Sequence, residues 1–326
     1  MPELSICVPT YNRVDLLEET LPTILNQTYS DFELVIVDNA STDGTEAFVR
    51  GQKDSRIRYV RNPENVGLVA NQQRCVDEAK SSIVAVYHDH DLYDLDIVRQ
   101  SMDLLAEHPR VGVVCTGMIL VDPNNPAKVV RPFIENWDRV TPGKQINEIL
   151  LHAYPSPITS PTAMVRKACY EQVGPWRFDV GEGADRELWL RIFRHWDLGY
   201  IKGPLARLRD RPARAEYTFA QAKHLWKTIE LQHYISSIHV EQIYKDRPLR
   251  LRWERMRAKA ILYQECWRWG IWAVAKPHPV VSEVGVDAFR FLDMPYAAGI
   301  LRRMRQSRLA HLSMAQALRV YRTLFV

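Results

Sequence analysis

The sequence predicts an α/β fold, a mostly parallel sheet flanked by helices, with a C-terminal helical extension. Short β-branched runs alternate with apolar residues at helical spacing through the first half. Those runs are almost continuously apolar, as strands covered on both faces require. Beyond Tyr217 the pattern turns wholly helical and becomes rich in Arg and Trp.

The first strand is LSICVP (Leu4–Pro9), followed by Leu16, Leu17, Leu21, Ile24 and Leu25 at helical spacing. FELVIVD (Phe32–Asp38) is the second, stopped by NASTDGT, a turn sequence that also offers helix caps. RIRYV (Arg56–Val60) is the third. A loop, NPENVG, and a helix through Val69, Cys75, Val76 and Ala79 lead to the fourth, SSIVAVY. VGVVCTGMILVD is a further strand, followed by a Pro- and Asn-rich excursion from Asp122 to Gly143. SPITSPTAMVRK is an extended segment and KACYEQVG a short helix. A last helix covers Gly183–Trp196, with Asp185 at its start in the favoured N-cap role. GYIKGPLARLR closes a first domain, 1–212, and 213–326 forms a second.

A hydrophobic content of 46% supplies a real core and excludes a disordered chain. No run is apolar and long enough to span a membrane, and MPELSICVPTYNR lacks the basic and apolar regions of a secretory signal. The five cysteines are scattered without a CxxC pair, which argues against zinc and a disulfide framework and for a reducing, cytoplasmic setting. Net charge is +4, but the residues before Arg207 are acidic in balance and those after it strongly basic. Two units with different partners are implied.

On a parallel sheet, ligands bind beyond the carboxyl ends of the strands. Three strand ends here carry polar residues: Pro9, Thr10, Tyr11 and Asn12 after the first, Asp38 and Asn39 after the second, and His88–Asp91 after the fourth. An acidic turn in water would explain HDHD alone. Gathered at one edge, these acids and imidazoles instead suit a divalent ion that bridges diphosphate oxygens.

With those segments in order, the chain resembles the family 2 nucleotide-sugar glycosyltransferases, whose fold is called GT-A, over about residues 3–212. LSICVPTYNR, LNQTYSDFELVIVDNASTDGT, NPENVGLVANQQRCVDEA, YHDHDLYD and GADRELWLRI carry the resemblance. It implies that Pro9, Thr10, Tyr11, Asp38 and Asn39 hold the nucleobase and ribose, with Asn65 and Gly67 flanking the nucleotide. It implies that Asp89 handles ribose and metal, that Asp91, His90 and Asp89 are the metal set, and that Asp185 is the catalytic base.

Three departures matter. His90 stands where many relatives have Asp, so either His90 or Asp91 is the main ligand, and imidazole favours Mn2+ over Mg2+. Ala184 replaces the Glu of a Glu-Asp pair. Arg211 stands where a His is frequent, and it would hold the diphosphate by charge-assisted hydrogen bonds.

The expected reaction is therefore inverting transfer of a sugar from a nucleoside-diphosphate donor to a hydroxyl on a glycan or lipid-linked acceptor, in polysaccharide or glycoconjugate assembly. A sugar nucleotidyltransferase would want glycine after the first strand, where VPTYNRVDLL has none. A degenerate, non-catalytic sugar-nucleotide-binding scaffold is the non-enzyme alternative. Trp176 is a candidate for the acceptor pocket, whereas Trp189 and Trp196 belong to helix core. His152, His195 and His233 are expected to be ordinary packing or surface histidines. The basic tail, with Trp253, Trp267, Trp269 and Trp272, suits either a peripheral contact at the inner membrane face or a packing surface for a homo-oligomer; nucleic acid is not expected.

Overall fold

The computed structural model describes residues 2–122, 124–153, 156–209 and 219–258. By contacts the chain divides into two compact units, Met1–Pro212 and Ala213–Val326. In chain order the first unit runs β1 (Leu4–Thr10), α1 (Val14–Leu25), β2 (Phe32–Asp38), α2 (Thr45–Gly51), β3 (Ile57–Arg61), α3 (Leu68–Glu78), β4 (Ile83–Val86), β5 (Leu92–Tyr93) and α4 (Ile97–Glu107). It continues with β6 (Val111–Asp122), β7 (Asn125–Phe133), β8 (Val140–Thr141), α5 (Gly143–Leu150), β9 (Ala163–Arg166), α6 (Lys167–Val173), α7 (Ala184–Ile192) and β10 (Asp197–Arg209). In the second unit α8 (Phe219–Tyr244) precedes a helix at 248–258.

Every residue of β1 is buried, which is why its run lacks polar alternation apart from Ser5. The Ser5 hydroxyl donates to Glu33 Oε1 at 2.6 Å. β2 pairs parallel on one side of β1 and β4 on the other, with β3 beyond β2. The full sheet order is β3-β2-β1-β4-β9-β6-β10-β5. β1 with β2 and β4, β2 with β3, and β6 with β10 are parallel ladders, while β7, β9 and the short β5 and β8 pair antiparallel. Leu17, Leu21 and Ile24 on α1 are buried in the core, where they pack with Leu4, Ile6 and Leu34 of the sheet.

Register decides what meets at the edge. Thr10 sits opposite Asp38, and Asp38 opposite Arg61, so the ends of β1, β2 and β3 line up. After β4 the chain stays beside β1, with Tyr87 N–H donating to Cys7 O at 2.9 Å. β5 then pairs antiparallel with Ala206 and Arg207 of β10. His88–Asp91 is thus pinned between two strands at the same edge.

Several details differ from the sequence expectation. The third strand shifts by one residue to include Arg61. The Asp122–Gly143 excursion holds two strands, because β7 continues the β6 ladder after a tight reversal. SPITSPTAMVRK is split: Ser160–Thr162 forms a 3-10 turn before β9, with proline in its first turn. The four described cysteines are buried and free. Among the described residues no helix is long and apolar enough to cross a membrane. Arg211, Trp267, Trp269 and Trp272 lie outside the described residues.

Candidate functional site

The loop after β4 groups His88, His90 and Asp91, whose ligand atoms all lie within 4.8 Å of one another. Asp91 is buried, and its Oδ1 accepts the backbone N–H of Arg209 at 3.0 Å. Its Oδ2 lies 3.2 Å from His88 Nδ1 but makes no hydrogen bond among the described residues. A buried carboxylate oxygen left this way is costly unless a cation completes it. Two imidazoles and a carboxylate also form a donor set that suits a divalent transition ion. The residues present fit such an ion.

Asp89 is not one of these three grouped residues. Its Oδ1 lies 2.8 Å from His90 Nδ1 and 3.1 Å from the Arg13 guanidinium. Burial would raise its carboxyl, but the His90 hydrogen bond and the Arg13 charge outweigh that and hold it below the usual carboxylate range. With Nδ1 engaged by Asp89, His90 Nε2 lies 3.9 Å from Asp91. Asp89 therefore stands behind His90 and orients it, as carboxylates commonly do for metal-binding imidazoles. Arg13 is the residue that sequence reasoning left without a role, and His88, in the strand-end group, is absent from the metal set that the resemblance implies.

The nucleotide-side residues form two connected clusters. Asp38 is fully buried and both of its carboxylate oxygens accept hydrogen bonds. Oδ1 accepts Ser41 N–H at 2.9 Å, while Oδ2 accepts the Tyr59 hydroxyl at 2.5 Å and Arg61 at 2.9 Å. The Asp38 carboxylate thereby holds Arg61 and Tyr59 at the ends of β2 and β3. Asn39 is equally committed. Its Nδ2 donates to Asn65 Oδ1 at 2.7 Å, and its Oδ1 accepts Asn62 Nδ2 and Val66 N–H, each at 3.0 Å. Asn65 Oδ1 also accepts Gly67 N–H at 2.9 Å, where Gly67 turns with φ 85°, a conformation that favours glycine. Asn39 therefore fixes the Asn65–Gly67 loop.

Pro9 and Thr10 are buried in β1, whereas Tyr11 is 42% exposed. Asn12 closes the β1 end against β2: its Oδ1 accepts Thr42 N–H at 2.7 Å and its own N–H donates to Ser41 Oγ at 2.9 Å.

The expected base lies on α7. A 3-10 segment, Phe178–Gly183, bends at Gly181 with φ 50° and delivers the chain to the helix start. Gly183 is the N-cap, so the expected capping role of Asp185 is corrected; Asp185 lies in the first turn and its Oδ1 accepts Arg186 N–H at 2.6 Å. Burial pushes the Asp185 carboxyl up to about 6, against the pull of the Arg186 N–H and of the charge on His88. That last influence ties α7 to the strand-end cluster.

α7 itself is buried nearly all round. Arg186 is held by the Leu150 carbonyl, and Glu187 pairs with Arg191, which also donates to the carbonyls of Val173, Gly174 and Pro175. Trp176 is 2% exposed and packs edge-on against Trp189, so it is core and not acceptor lining. Trp189 is buried as expected.

A model of the family described as "Glycosyl transferase family 2" matches residues 5–173. The protein EpsE of Bacillus subtilis (strain 168), which carries a glycosyltransferase name, is 28% identical over 215 residues, 64% of this chain and 73% of that protein. A Campylobacter jejuni protein named GalNAc(5)-diNAcBac-PP-undecaprenol beta-1,3-glucosyltransferase is 36% identical over 94 residues, 28% of this chain and 30% of that one. Among solved structures, S. aureus TarS in complex with UDP-GlcNAc aligns with a TM-score of 0.63 at 15% identity, covering 98% of this chain and 91% of that chain. The shared architecture is the α/β sheet flanked by helices described above, with helices following it.

Proposed function

Since this chain belongs to glycosyl transferase family 2 and has the GT-A fold, we propose that it transfers a sugar from a nucleoside-diphosphate donor to an acceptor hydroxyl with inversion. The observation that carries this reading is the position of Asp185. It lies in the first turn of α7, and burial raises its carboxyl to about 6, close to the pH at which a general base works best. As the acceptor oxygen attacks the anomeric carbon, Asp185 takes its proton. The carbon–oxygen bond to the diphosphate breaks on the far side, and the nucleoside diphosphate leaves with the bonding pair. A nucleotide leaving group needs no general acid, so one carboxylate on the acceptor side suffices.

The remaining residues bind and orient. Tyr11 stacks on the nucleobase, in a pocket whose walls are set by Thr10, Asp38 and Asn39 and by the loop at Asn65 and Gly67. His88, His90 and Asp91 would hold a divalent ion, with Asp89 fixing His90; two imidazoles favour manganese over magnesium. When bound, such an ion supplies positive charge against the diphosphate. Arg13, half exposed beside Asp89, adds a second positive group there, and Arg211 is assigned to the same diphosphate.

The acceptor is a growing polysaccharide or a lipid-linked glycan, the chemistry named for the Campylobacter relative. A reducing compartment, the cytoplasm, suits the free thiols.

A panel of nucleoside-diphosphate sugars, followed by proton NMR of the anomeric signal, tests the reaction. Inversion of configuration in the transferred or hydrolysed sugar is expected. Retention would exclude direct displacement, and tight donor binding without any turnover would leave the chain a binding scaffold.

A further inference from the structure

The helix at 248–258 is built inside out for a protein core. Glu254 and Ala258 are buried, 1% and 6% exposed, while Leu249, Trp253 and Met256 are 86%, 57% and 53% exposed. Spacings of four and three put those three apolar side chains on one helical face, and Glu254 and Ala258 on the other. A helix that turns Leu, Trp and Met outward leaves a stripe of apolar surface that no other described residue covers.

The flanks of that stripe are basic. By helical rotation Arg252 and Arg255 fall on one side of it, and Arg250 and Arg257 on the other. Buried Glu254 fixes one flank: Arg250 reaches it at 2.7 Å and Arg257 at 3.9 Å. On the other flank Arg255 makes a two-pronged pair with Glu241 of α8, at 2.5 and 2.7 Å. These pairs set the roll of the helix, so the apolar stripe faces outward by construction.

We propose that this face docks on an anionic lipid surface, with Leu249, Trp253 and Met256 entering the headgroup boundary and Arg252, beside the stripe, meeting lipid phosphates. Charge complementarity selects the occupant. An apolar stripe alone would suit a second copy of the chain, but arginines bordering it on both sides would face one another across a two-fold interface. An anionic bilayer accepts both: Trp prefers the interface, and long arginine side chains reach from an apolar footing to the phosphates. The helix would lie on the membrane and not across it. This inference goes beyond the catalytic reading and does not depend on it.

The experiment is vesicle co-sedimentation of the full chain, using phosphatidylcholine alone and phosphatidylcholine with about a third phosphatidylglycerol. Wild type is expected to bind the anionic vesicles selectively and to be released by high salt. The combined variant Leu249→Ser, Trp253→Ser, Met256→Ser should lose about tenfold or more in partitioning, with circular dichroism and thermal midpoint unchanged. Arg252→Glu, which keeps the stripe, should weaken binding to anionic vesicles in the same direction. Equal binding to both vesicle types, or wild-type partitioning by the triple variant, overturns the proposal. So does a wild-type dimer in sedimentation velocity that the triple variant splits, because a second copy would then cover the stripe.

Discussion

His90 Nδ1 lies 2.8 Å from Asp89 Oδ1, and this one contact gives the two acids of the HDHD loop different work. Asp89 sets the imidazole, and Asp91 shares the donor cluster with both histidines. Replacing Asp91 by Ala should therefore abolish Mn2+ binding measured by paramagnetic resonance in the presence of a nucleoside diphosphate. Asp89→Asn should weaken it only by about 10–100-fold, the usual cost of losing an orienting partner. An Asp89 variant as completely dead to metal as the Asp91 variant would make Asp89 a direct ligand.

The Asp185 carboxyl makes the fold less stable than a neutral side chain there would. Its folded pKa, about 6, lies above the ordinary 3.8. The folded state thus holds the proton more tightly than the unfolded one, and stability present below about pH 4 is lost as pH rises through 6. Asp185→Asn removes that penalty and should stabilise the protein at pH 8 by about 1–3 kcal/mol, with little effect at pH 4. The same variant should lose about 10²–10⁴ in turnover while keeping donor affinity. A purely structural role predicts a neutral or destabilised variant with normal turnover, and thermal melts beside rate measurements separate the two.

The pH profile should show the same group. Asp185 accepts a proton only when ionised, so kcat/KM should rise with pH through about 6 and level above it. The rising limb should vanish from the residual activity of Asp185→Asn. A limb that persists unchanged in that variant belongs to another group.

The centre of the sheet was legible because both faces of β1, β2 and β4 are buried: apolar runs such as Leu34–Val37 leave no other packing solution. Which residues gather at its edge followed from the rule about carboxyl ends. What the sequence could not show was how each polar atom is spent. Asp38 and Asn39 are acid and amide side by side after one strand, yet their partners, Arg61 and Asn65, come from segments more than twenty residues away. Trp176 misled for a related reason. In a polar loop it resembles an exposed platform, and only the approach of Trp189 from α7 buries it. The capping role assigned to Asp185 failed because the bend at Gly181 starts the helix after Gly183.

Asn39 provides the last test, because aspartate has nearly the same shape but lacks the amide that donates. In this chain its amide donates to Asn65 Oδ1, and that same oxygen accepts Gly67 N–H. Asn39→Asp would set a carboxylate against a carbonyl oxygen. Flipping the Asn65 amide would mend that clash, but it would leave Gly67 N–H without its acceptor. Losing one such hydrogen bond costs about 0.5–1.5 kcal/mol, and an unsatisfied buried acceptor costs more. Asn39→Asp should therefore lower stability by about 1–2 kcal/mol and weaken nucleoside diphosphate binding through the loosened loop, with kcat at saturating donor little changed. Asn65→Ala should reproduce the binding defect, since it removes the same link from the other side. A fully stable Asn39→Asp protein with unaltered donor affinity would mean that the asparagine network does not shape the nucleotide pocket.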